Sequence, residues 1–509
     1  MEQVFLGVDV GTSGCKAVAL NSEGRLLGVQ SRRYDDSLVY LGDGGYDQPA
    51  EVLRTAALGC IKALAEQFGK GVAAIGFTGQ MHGLVALDDS LAPVRPIISC
   101  VDFRNKEQND AIYAAVNGEE GLLEYTNNKM VASCTAGKIL WMRENEPENF
   151  ARTRVVLNPK DYVRTVLTGI PVTDESDASG FGVYDVRGHC WSSPLLERIG
   201  LPMSILPPVC HADEVVGTVL PDIAAELGIS SDTQVVAGAG DAIMQTVGAG
   251  AVEDGDYSVI LGSGGLISTS LKHCVHNEGA RLQIYSSALR DQWVAYVGLM
   301  SVGTSVNWFR ERFYAAESAA SAADGFSAMD REFESVPPGC DGLMFFPTLL
   351  GQRNPVEDPY ARGAAVGLTP LHTRGHLYRA LLEGLTFGMR EVYEQLRQAG
   401  APMQRIRITG GGAVNPHWCQ LFADVFQVPV CRMEGYASAG AVGAAVLASQ
   451  CGKDPRSLPA RFGKVGVEKV FEPDPSKKEL YDRLFALYVQ IYPSLKPMFH
   501  ALKEFETVV

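Results

Sequence analysis

The chain has 509 residues, of which 46% are hydrophobic and 20% charged, and its 44 Lys and Arg against 59 Asp and Glu give a net charge of −15. This composition excludes a disordered chain. The negative net charge disfavours binding to nucleic acid or to an anionic membrane, because such partners bind positively charged surfaces. The 11 cysteines include no C-x-x-C pair, which is typical of reduced thiols and disfavours zinc.

The first residues do not resemble a secretory signal. Glu2 and Asp9 lie where such a signal carries basic residues and then an apolar stretch. The sequence also lacks a window of about 18 apolar residues, so we expect no membrane-spanning helix. The chain is therefore predicted to act in the cytoplasm.

Residues 4–29 are predicted to form a three-stranded meander. The apolar run 4–10 indicates the first strand, and residues 15–20 and 26–29 indicate the next two. The turn after the first strand, Gly11-Thr12-Ser13-Gly14, is rich in glycine and hydroxyl groups. Exposed backbone N–H groups in such turns bind anions, so this turn is a candidate phosphate site.

Helical and strand patterns alternate along the rest of the chain. Asp47-Gln48-Pro49 is predicted to cap a helix of 3.6-residue period that ends at Gly69, and residues 74–80 follow as a strand with a Thr-Gly turn. Further helices are predicted over residues 376–399, 416–427, 436–451 and 476–508.

The first hairpin is repeated near the middle of the chain. Residues 257–261 and 266–269 read as strands joined by the turn Gly262-Ser263-Gly264-Gly265. The first copy carries Asp9 two residues before its turn, whereas the second copy has Ile260. An acid in one copy alone suits Mg²⁺ beside phosphates. The alternative is a carboxylate that only fixes the turn.

A second pair of matched segments supports an internal duplication. Residues 406–412 resemble residues 74–80, since each is a strand that runs into a Thr-Gly turn. Two matched pairs in the same order indicate a duplicated α/β domain. We therefore predict two domains, residues 1–250 and 251–509, with the ligand bound in the cleft between them.

Three common enzyme motifs are absent or broken. No Gly-Lys pair is followed by Ser or Thr as a P-loop requires, and no G-x-S-x-G occurs. The string that most resembles a dinucleotide fingerprint has Ile243 where the third glycine belongs and Asp241 beside the supposed pyrophosphate. A carboxylate there would repel phosphate unless its role is to accept a proton.

Taken together, the motifs resemble those of the FGGY family of carbohydrate kinases, and most of all its xylulokinases. The resemblance spans about residues 4–450. It rests on residues 9–14, 79–83, 174–180, 240–241, 262–265, 351–355 and 410–412 with Asn415. It implies an α/β fold of two duplicated actin-like, ribonuclease-H-like domains that close on ATP and a sugar.

The resemblance also implies an activity. An ATP-dependent sugar kinase would phosphorylate a ketopentose, D-xylulose to D-xylulose 5-phosphate. Another ketose, a polyol or gluconate is the alternative substrate within the family, and an actin-like ATPase or sensor without a sugar is the alternative outside it. The resemblance allows for a homodimer, although no motif in the sequence indicates one.

Site residues follow from the same resemblance. Asp241 would be the general base, with a plain helix N-cap aspartate as the alternative. Asp9 would hold Mg²⁺ through water, and Thr12 would face the transferring phosphate. The sugar would contact Gln80, Met81, His82, Asp102 and Asp241, where the alternative for His82 is a turn histidine satisfied by the backbone. The nucleotide would contact Thr12, Ser263, Gly303, Asn307, Gly411, Gly412 and Asn415.

One departure from the family pattern bears on the substrate. Ala242 follows the predicted base, where typical xylulokinases have a polar amide. A missing hydrogen bond to the sugar would cost roughly 0.5–1.5 kcal/mol. The departure therefore bears on which ketose is preferred and leaves the reaction class unchanged.

Overall fold

A computed structural model of the chain describes residues 3–42, 44–319, 321–400, 402–435, 438–463 and 465–505. Within these ranges, no helix combines the length and the apolar character needed to span a membrane. The 11 cysteines are free.

The chain folds into two compact units, and both are discontinuous in sequence. The first unit comprises Met1–Glu253, Ser270–Ala295 and Ser438–Val465, and the second comprises Asp254–Thr269, Tyr296–Ala437 and Gly466–Val509. The division into domains 1–250 and 251–509 concerns the two duplicated copies and stays a prediction. The packing units group the chain differently, because two segments beyond residue 250 pack with the first unit.

Strands and helices alternate through the chain, which is typical of an α/β protein. In chain order the strands are β1 Val4–Val10, β2 Gly14–Asn21, β3 Leu26–Arg33, β4 Val39–Gly42, β5 Gly45–Gln48, β6 Val72–Gly79, β7 Val85–Leu87, β8 Ile97–Ile98, β9 Val155–Leu157, β10 Thr173–Asp174, β11 Tyr184–Asp185, β12 Cys190–Trp191, β13 Val209–Cys210, β14 Val215–Thr218, β15 Gln234–Val236, β16 Ala239–Gly240, β17 Asp256–Leu261, β18 Gly265–Leu271, β19 Gln283–Ser286, β20 Trp293–Leu299, β21 Met344–Phe346, β22 Ala364–Val366, β23 Arg405–Thr409, β24 Val430–Met433 and β25 Val467–Phe471. The helices are α1 Ala50–Phe68, α2 Lys106–Ala115, α3 Glu119–Thr126, α4 Thr135–Asn145, α5 Pro147–Arg152, α6 Pro159–Thr168, α7 Glu175–Gly180, α8 Ser193–Ile199, α9 Pro221–Leu227, α10 Asp241–Gly248, α11 Val302–Phe313, α12 Ala322–Glu334, α13 Arg374–Leu396, α14 Pro416–Phe426, α15 Ala439–Ser449, α16 Leu458–Phe462, α17 Lys478–Tyr488 and α18 Ile491–Leu502.

The first unit is built on a seven-stranded sheet in the order β14-β15-β6-β1-β2-β3, with β16 also paired to β6. Strand β1 runs antiparallel to β2 and parallel to β6, and β2 runs antiparallel to β3. This arrangement confirms the predicted meander. Helices α1 and α15 pack against β1, and the strand is buried along nearly its whole length. Burial on both faces explains its near-continuous apolar sequence.

Helix α15 lies very close to this sheet, because glycine and alanine meet at the contact. A methyl group added at Gly7 would fall 1.9 Å from the carbonyl oxygen of Ala441, and one added at Gly76 would fall 2.1 Å from that of Ala444. The structure thus explains the small residues of the helix predicted over residues 436–451. The observed helix covers Ala439–Ser449, while residues 436 and 437 lie outside the described part of the chain.

The second unit repeats the strand arrangement of the first. Strand β17 runs antiparallel to β18 and parallel to β23, which is followed by β24 in parallel and β25 in antiparallel orientation. The predicted hairpin around residues 262–265 is therefore confirmed. Strands β6 and β23 occupy the same place beside the first hairpin strand of their sheets, as expected for a duplication.

One local prediction is wrong. Helix α1 has the expected bounds, but Asp47 does not cap it, since the N-cap is Pro49 and no side chain makes a capping bond. The Asp47 carboxylate instead accepts hydrogen bonds from Arg95 at 2.7 Å and Arg104 at 2.6 Å. Two charged hydrogen bonds stabilise a partly buried carboxylate more than one backbone N–H would.

The remaining predicted helices are confirmed with shifted ends. Helix α13 begins at Arg374, two residues before the predicted start, because Thr373 and His376 form a capping box ahead of it. Helix α14 has the expected position, and α17 and α18 fill the predicted carboxy-terminal stretch as far as residue 502. Residues 506–508 of that prediction lie outside the described residues.

The close approach of α15 predicts a severe effect of Gly7→Ala. Its methyl group cannot be accommodated 1.9 Å from a carbonyl oxygen, so the helix must move and the free energy of unfolding should fall by at least ~2 kcal/mol. Chemical denaturation of the purified variant measures this loss. The control is Gly463→Ala, an exposed position where the added methyl lies 3.4 Å from its nearest neighbour. Equal stability of the two variants would contradict this packing.

Candidate active site

Three strand ends bring the predicted site residues of the first unit to one edge of its sheet. Parallel strands end at the same edge, and ligands of open α/β sheets bind there. Asp9 is the penultimate residue of β1, Gln80 directly follows β6, and Asp241 directly follows β16. The pairing of Gly240 with Gly79 keeps the last two strand ends level.

Asp9 and Asp241 influence each other electrostatically. Burial raises the pKa of Asp9 to about 6, against a lowering by Lys16. Burial and, to a smaller extent, the charge of Asp9 raise the pKa of Asp241 to about 7, against a lowering by the backbone N–H of Ala242. A carboxylate with a pKa near 7 can take up and release a proton at neutral pH. Such a shift at a sheet edge is typical of functional sites.

Asp241 begins helix α10 but does not cap it. The N-cap is Gly240, and the Oδ1 atom of Asp241 accepts a hydrogen bond of 2.7 Å from the N–H of Ala242. The alternative reading of Asp241 as an N-cap aspartate is therefore wrong. Its side chain is only partly buried, so the carboxylate has a face from which it can meet a ligand.

The surroundings of Asp9 fit a divalent cation. Thr78 lies opposite Asp9 in the sheet, and the N–H of Gln80 donates to the carbonyl of Val10 at 2.9 Å. The Oγ1 atom of Thr78 and the Oε1 atom of Gln80 are buried without a hydrogen-bond partner among the described residues. Mg²⁺ prefers such oxygen ligands and usually takes one or two carboxylates with water, so the residues present suit a hydrated Mg²⁺ at Asp9.

The turn between β1 and β2 is fixed through its backbone. The carbonyl of Gly11 accepts hydrogen bonds from the Tyr34 hydroxyl at 2.6 Å and from Nε2 of Gln80 at 3.4 Å. The hydroxyl of Thr12 lies 3.3 Å from the thiol of Cys100 and is partly exposed. The turn therefore presents a hydroxyl at the same edge as Asp9.

Met81 and His82 connect the end of β6 to the residue before Asp241 and to the backbone of α7. Nδ1 of His82 lies 2.9 Å from the carbonyl oxygen of Gly180, so this nitrogen carries the proton and Nε2 carries the lone pair. The backbone bond of the alternative reading is thus present, and it uses Nδ1. Met81 is buried, and a methyl group added at Gly240 would fall 2.6 Å from its sulfur. Met81 therefore packs directly against the residue that precedes Asp241.

Lys138 is a residue of this site that sequence reasoning missed. It is fully buried in α4, and its Nζ donates to the carbonyls of His82 at 2.9 Å and Ser99 at 2.8 Å. Burial lowers the pKa of Lys138 to about 8. The ammonium thus joins the backbones of two loops of the first unit. No motif marks it, because its partners are carbonyls distant in sequence.

Asp102 has a different setting from the other predicted sugar contacts. It is fully buried, and its carboxylate accepts hydrogen bonds from the N–H groups of Tyr46 and Arg104 and from the Arg104 side chain at 2.8 Å. In the structure, the Asp102 side chain therefore stabilises the loop in which it lies. Its contact with a sugar stays a prediction.

The second unit contains a pocket of about 660 Å³. Its lining includes all the predicted nucleotide contacts of this unit, namely Ser263, Gly303, Asn307, Gly411, Gly412 and Asn415. The N–H of Gly303 donates to the carbonyl of Gly262 at 3.0 Å, which seats helix α11 on the hairpin turn. Phe326 and Trp418 add aromatic surface, so the pocket suits a planar ring with polar substituents.

Asn415 builds this pocket through its side chain. Its Oδ1 accepts the N–H groups of His417 and Trp418 and so caps helix α14, and its Nδ2 donates to Asp330 at 2.8 Å and to the Tyr378 hydroxyl at 3.2 Å. Sequence reasoning found Asn415 but missed its two partners. They lie 85 and 37 residues away, and no local pattern joins them to it.

Comparison with known families gives one match for each duplicated copy. Residues 4–248 match the N-terminal domain of the FGGY family of carbohydrate kinases, and residues 257–450 match its C-terminal domain. These matches, together with the structural likenesses below, confirm the predicted fold class of two duplicated actin-like domains.

Individual relatives extend over nearly the whole chain. It is 32% identical over 504 residues to a protein of Bacillus subtilis (strain 168) named xylulose kinase, covering 98% of this chain and 99% of that protein. A ligand-bound xylulose kinase from Lactobacillus acidophilus matches with a TM-score of 0.88 and 25% identity, covering 98% of this chain and 100% of that one. A gluconate kinase from the same organism matches with a TM-score of 0.89 and 25% identity, covering 99% of this chain and 100% of that one.

The raised pKa of Asp241 predicts a pH-dependent gain of stability in Asp241→Asn. Because its folded-state pKa of about 7 exceeds the ordinary value of 3.8, the native carboxyl binds more protons than the unfolded one, and stability is lost as pH rises towards 7. The variant avoids this loss. In metal-free buffer its thermal midpoint should exceed that of the parent at pH 8 by more than at pH 5.

The matched control for this measurement is Asp232→Asn, an exposed position. Its thermal midpoint should follow that of the parent at both pH values. A constant difference between Asp241→Asn and the parent from pH 5 to pH 8 would contradict the electrostatic account of Asp241.

Proposed function

The chain belongs to the FGGY family of carbohydrate kinases, and on this basis we propose that it phosphorylates a ketopentose, D-xylulose, to D-xylulose 5-phosphate with ATP. As a family member it is a phosphotransferase with an alcohol group as acceptor. The choice of sugar is supported by the 32% identity to the Bacillus subtilis xylulose kinase. Another ketose, a polyol or gluconate is the alternative, and the similarity to a gluconate kinase structure keeps it open.

One observation carries the proposal, namely the pair Asp9 and Asp241 at a single sheet edge, with the pKa of Asp241 raised to about 7. Phosphoryl transfer requires a base for the attacking hydroxyl, and a pKa near the working pH suits that base. In the proposed step Asp241 accepts the proton of the sugar hydroxyl. The hydroxyl oxygen then forms a bond to the γ-phosphorus of ATP, the bond from that phosphorus to the bridging oxygen breaks, and ADP leaves.

Asp9 would hold Mg²⁺ through water in this proposal. Bound Mg²⁺ would neutralise charge on the phosphate oxygens as it develops. Thr78, which lies opposite Asp9 in the sheet, and Gln80 support the assignment, because their buried side-chain oxygens find no hydrogen-bond partner within the described residues. Thr12 would offer its hydroxyl to a phosphate oxygen, which its partial exposure allows.

The sugar would meet His82, Met81 and Gln80. With Nδ1 of His82 bonded to the carbonyl of Gly180, Nε2 is the nitrogen that would accept a hydrogen bond from a sugar hydroxyl. Met81 would supply shape rather than polarity. The N–H of Ala242 already donates to Asp241, and its methyl side chain offers the sugar no further hydrogen bond.

The adenosine part of ATP would occupy the pocket of the second unit. Phe326 and Trp418 would cover the ring, and the open space at Gly411, where an added methyl would meet no atom within 4 Å, leaves the backbone accessible. We also expect the enzyme to act in the cytoplasm. A homodimer, which the family resemblance allows, would be detected by sedimentation.

A coupled assay of ADP release across pentuloses, hexuloses, polyols and gluconate tests the function. D-xylulose should give the highest kcat/KM. Asp241→Asn should lower kcat by roughly 10²-fold, because the hydroxyl then loses its proton acceptor, while binding of D-xylulose measured by calorimetry persists.

Other results of the assay would contradict the proposal in distinct ways. If no sugar or polyol raises ADP release above hydrolysis, the protein is not a sugar kinase. Turnover independent of sugar, together with concentration-dependent assembly, would favour the actin-like ATPase instead. A near-normal rate in Asp241→Asn would remove the assigned role of this residue and leave the activity intact.

The nucleotide assignment predicts a selective effect of Gly411→Val. The position has no neighbour within 4 Å, so the fold should accept the side chain and the thermal midpoint should stay near that of the parent. Added bulk in a binding pocket costs roughly 10-fold in affinity or more, so KM for ATP should rise while KM for the sugar changes little. An unchanged KM for ATP would place the nucleotide elsewhere.

A further inference from the structure

We propose that Ser176 is a positioning residue for the catalytic base, because its hydroxyl holds the backbone from which Asp241 projects. This inference rests on the proposed function, in which Asp241 accepts the proton of the sugar hydroxyl. Ser176 lies in α7, part of the segment 174–180 that contributed to the family resemblance without receiving a role.

The contact is a buried hydrogen bond between two segments far apart in sequence. The N–H of Gly240 donates to Oγ of Ser176 at 2.9 Å, and both residues are buried. Gly240 immediately precedes Asp241 and is the N-cap of α10. The bond therefore fixes the position and the direction from which helix α10, with Asp241 as its first residue, begins.

The orientation of the Ser176 hydroxyl is itself determined. Its proton is donated to Oδ1 of Asp174, so a lone pair of the oxygen is left to accept the N–H of Gly240. Asp174 is the N-cap of α7 and also accepts the N–H groups of Ser176 at 2.8 Å and Asp177 at 3.3 Å. The hydroxyl thus accepts a hydrogen bond from Gly240 and donates one to Asp174.

A buried lysine anchors this chain. Nζ of Lys160 lies 2.5 Å from Asp161, 2.7 Å from Asp174 and 3.1 Å from Asp177, and all four side chains are fully buried. The three carboxylates lie close enough together to hold a metal ion, but the ammonium contacts each of them and supplies the positive charge. A buried ion pair is costly to break, so Asp174 has little freedom to move.

The same ionic cluster holds the other end of the segment that leads to Asp241. Arg164 pairs with Asp161 at 2.9 Å and donates to the carbonyl of Ala237 at 2.6 Å. Residues 237–240 are therefore tied at both ends, by Arg164 at the start and by Ser176 at the end. A base is efficient only when it lies within a fraction of an ångström of its productive position, and this double attachment supplies that constraint.

The test compares Ser176→Ala with Ser179→Ala. Ser179 is a matched control on the same buried helix, since its hydroxyl also accepts a backbone N–H, that of Ser286 at 3.2 Å, but has no bond to the segment 237–240. Ser176→Ala should lower kcat roughly 10-fold, the equivalent of one hydrogen bond, with KM for D-xylulose nearly unchanged. Ser179→Ala should leave kcat unchanged even if its thermal midpoint falls as far.

A second measurement is independent of turnover. Hydrogen exchange of a peptide covering residues 237–243 should be faster in Ser176→Ala than in the parent, because the N–H of Gly240 loses its acceptor, and unchanged in Ser179→Ala. Ser176→Thr, which keeps the hydroxyl, should restore both the exchange rate and kcat.

Three results would overturn the inference. The first is unchanged exchange at residues 237–243 in Ser176→Ala, and the second is faster exchange with an unchanged kcat. The third is an equal loss of kcat in the two alanine variants, which would make the effect one of general stability. If the parent shows no sugar-dependent turnover, the proposed function fails and this inference falls with it. If the parent is fully active and Ser176→Ala has the same kcat, only the inference is contradicted.

Discussion

Two carboxylates at one sheet edge, with burial raising the pKa of both, are the arrangement on which the rest of this protein depends. This setting is unfavourable for ionised Asp9 and Asp241, because burial and mutual repulsion both disfavour the charged forms. The surrounding structure must therefore over-determine their positions. It does so with the ladder of β1 on β6 for Asp9 and with the ionic cluster around Lys160 for Asp241.

The two duplicated copies differ in that only the first carries an acid, Asp9, near the end of its first hairpin strand. Both copies contain a hairpin followed by a parallel strand, yet the position of Asp9 in the first is occupied by Ile260 in the second. The first copy carries the carboxylates Asp9 and Asp241, whereas the second contains a pocket that is lined in part by aromatic side chains. The same backbone frame thus supports two kinds of recognition, which differ in the side chains placed at the ends of equivalent strands.

Local patterns predicted most of the fold and part of the site. The meander of β1 to β3, the second hairpin and helix α1 follow from alternation, helical period and glycine turns, because those signals act over a few residues. The capping role of Asp47 was wrong because its partners, Arg95 and Arg104, lie 48 and 57 residues away. Lys138 escaped notice and Ser176 received no role for the same reason, since a carbonyl or an N–H distant in the chain leaves no mark on the residues beside them.

The position of helix α15 has a consequence for how the molecule is made. The helix covers β1 and β6 from a place more than 350 residues later in the chain, and the glycines beneath it have no side chain to shield the sheet in its absence. While the protein is synthesised, the face of the sheet beneath α15 stays uncovered until residue 449 has been made. The first unit is therefore completed only after most of the second unit has been translated. Until then, the nascent chain carries an exposed apolar surface that must be kept from contact with other chains.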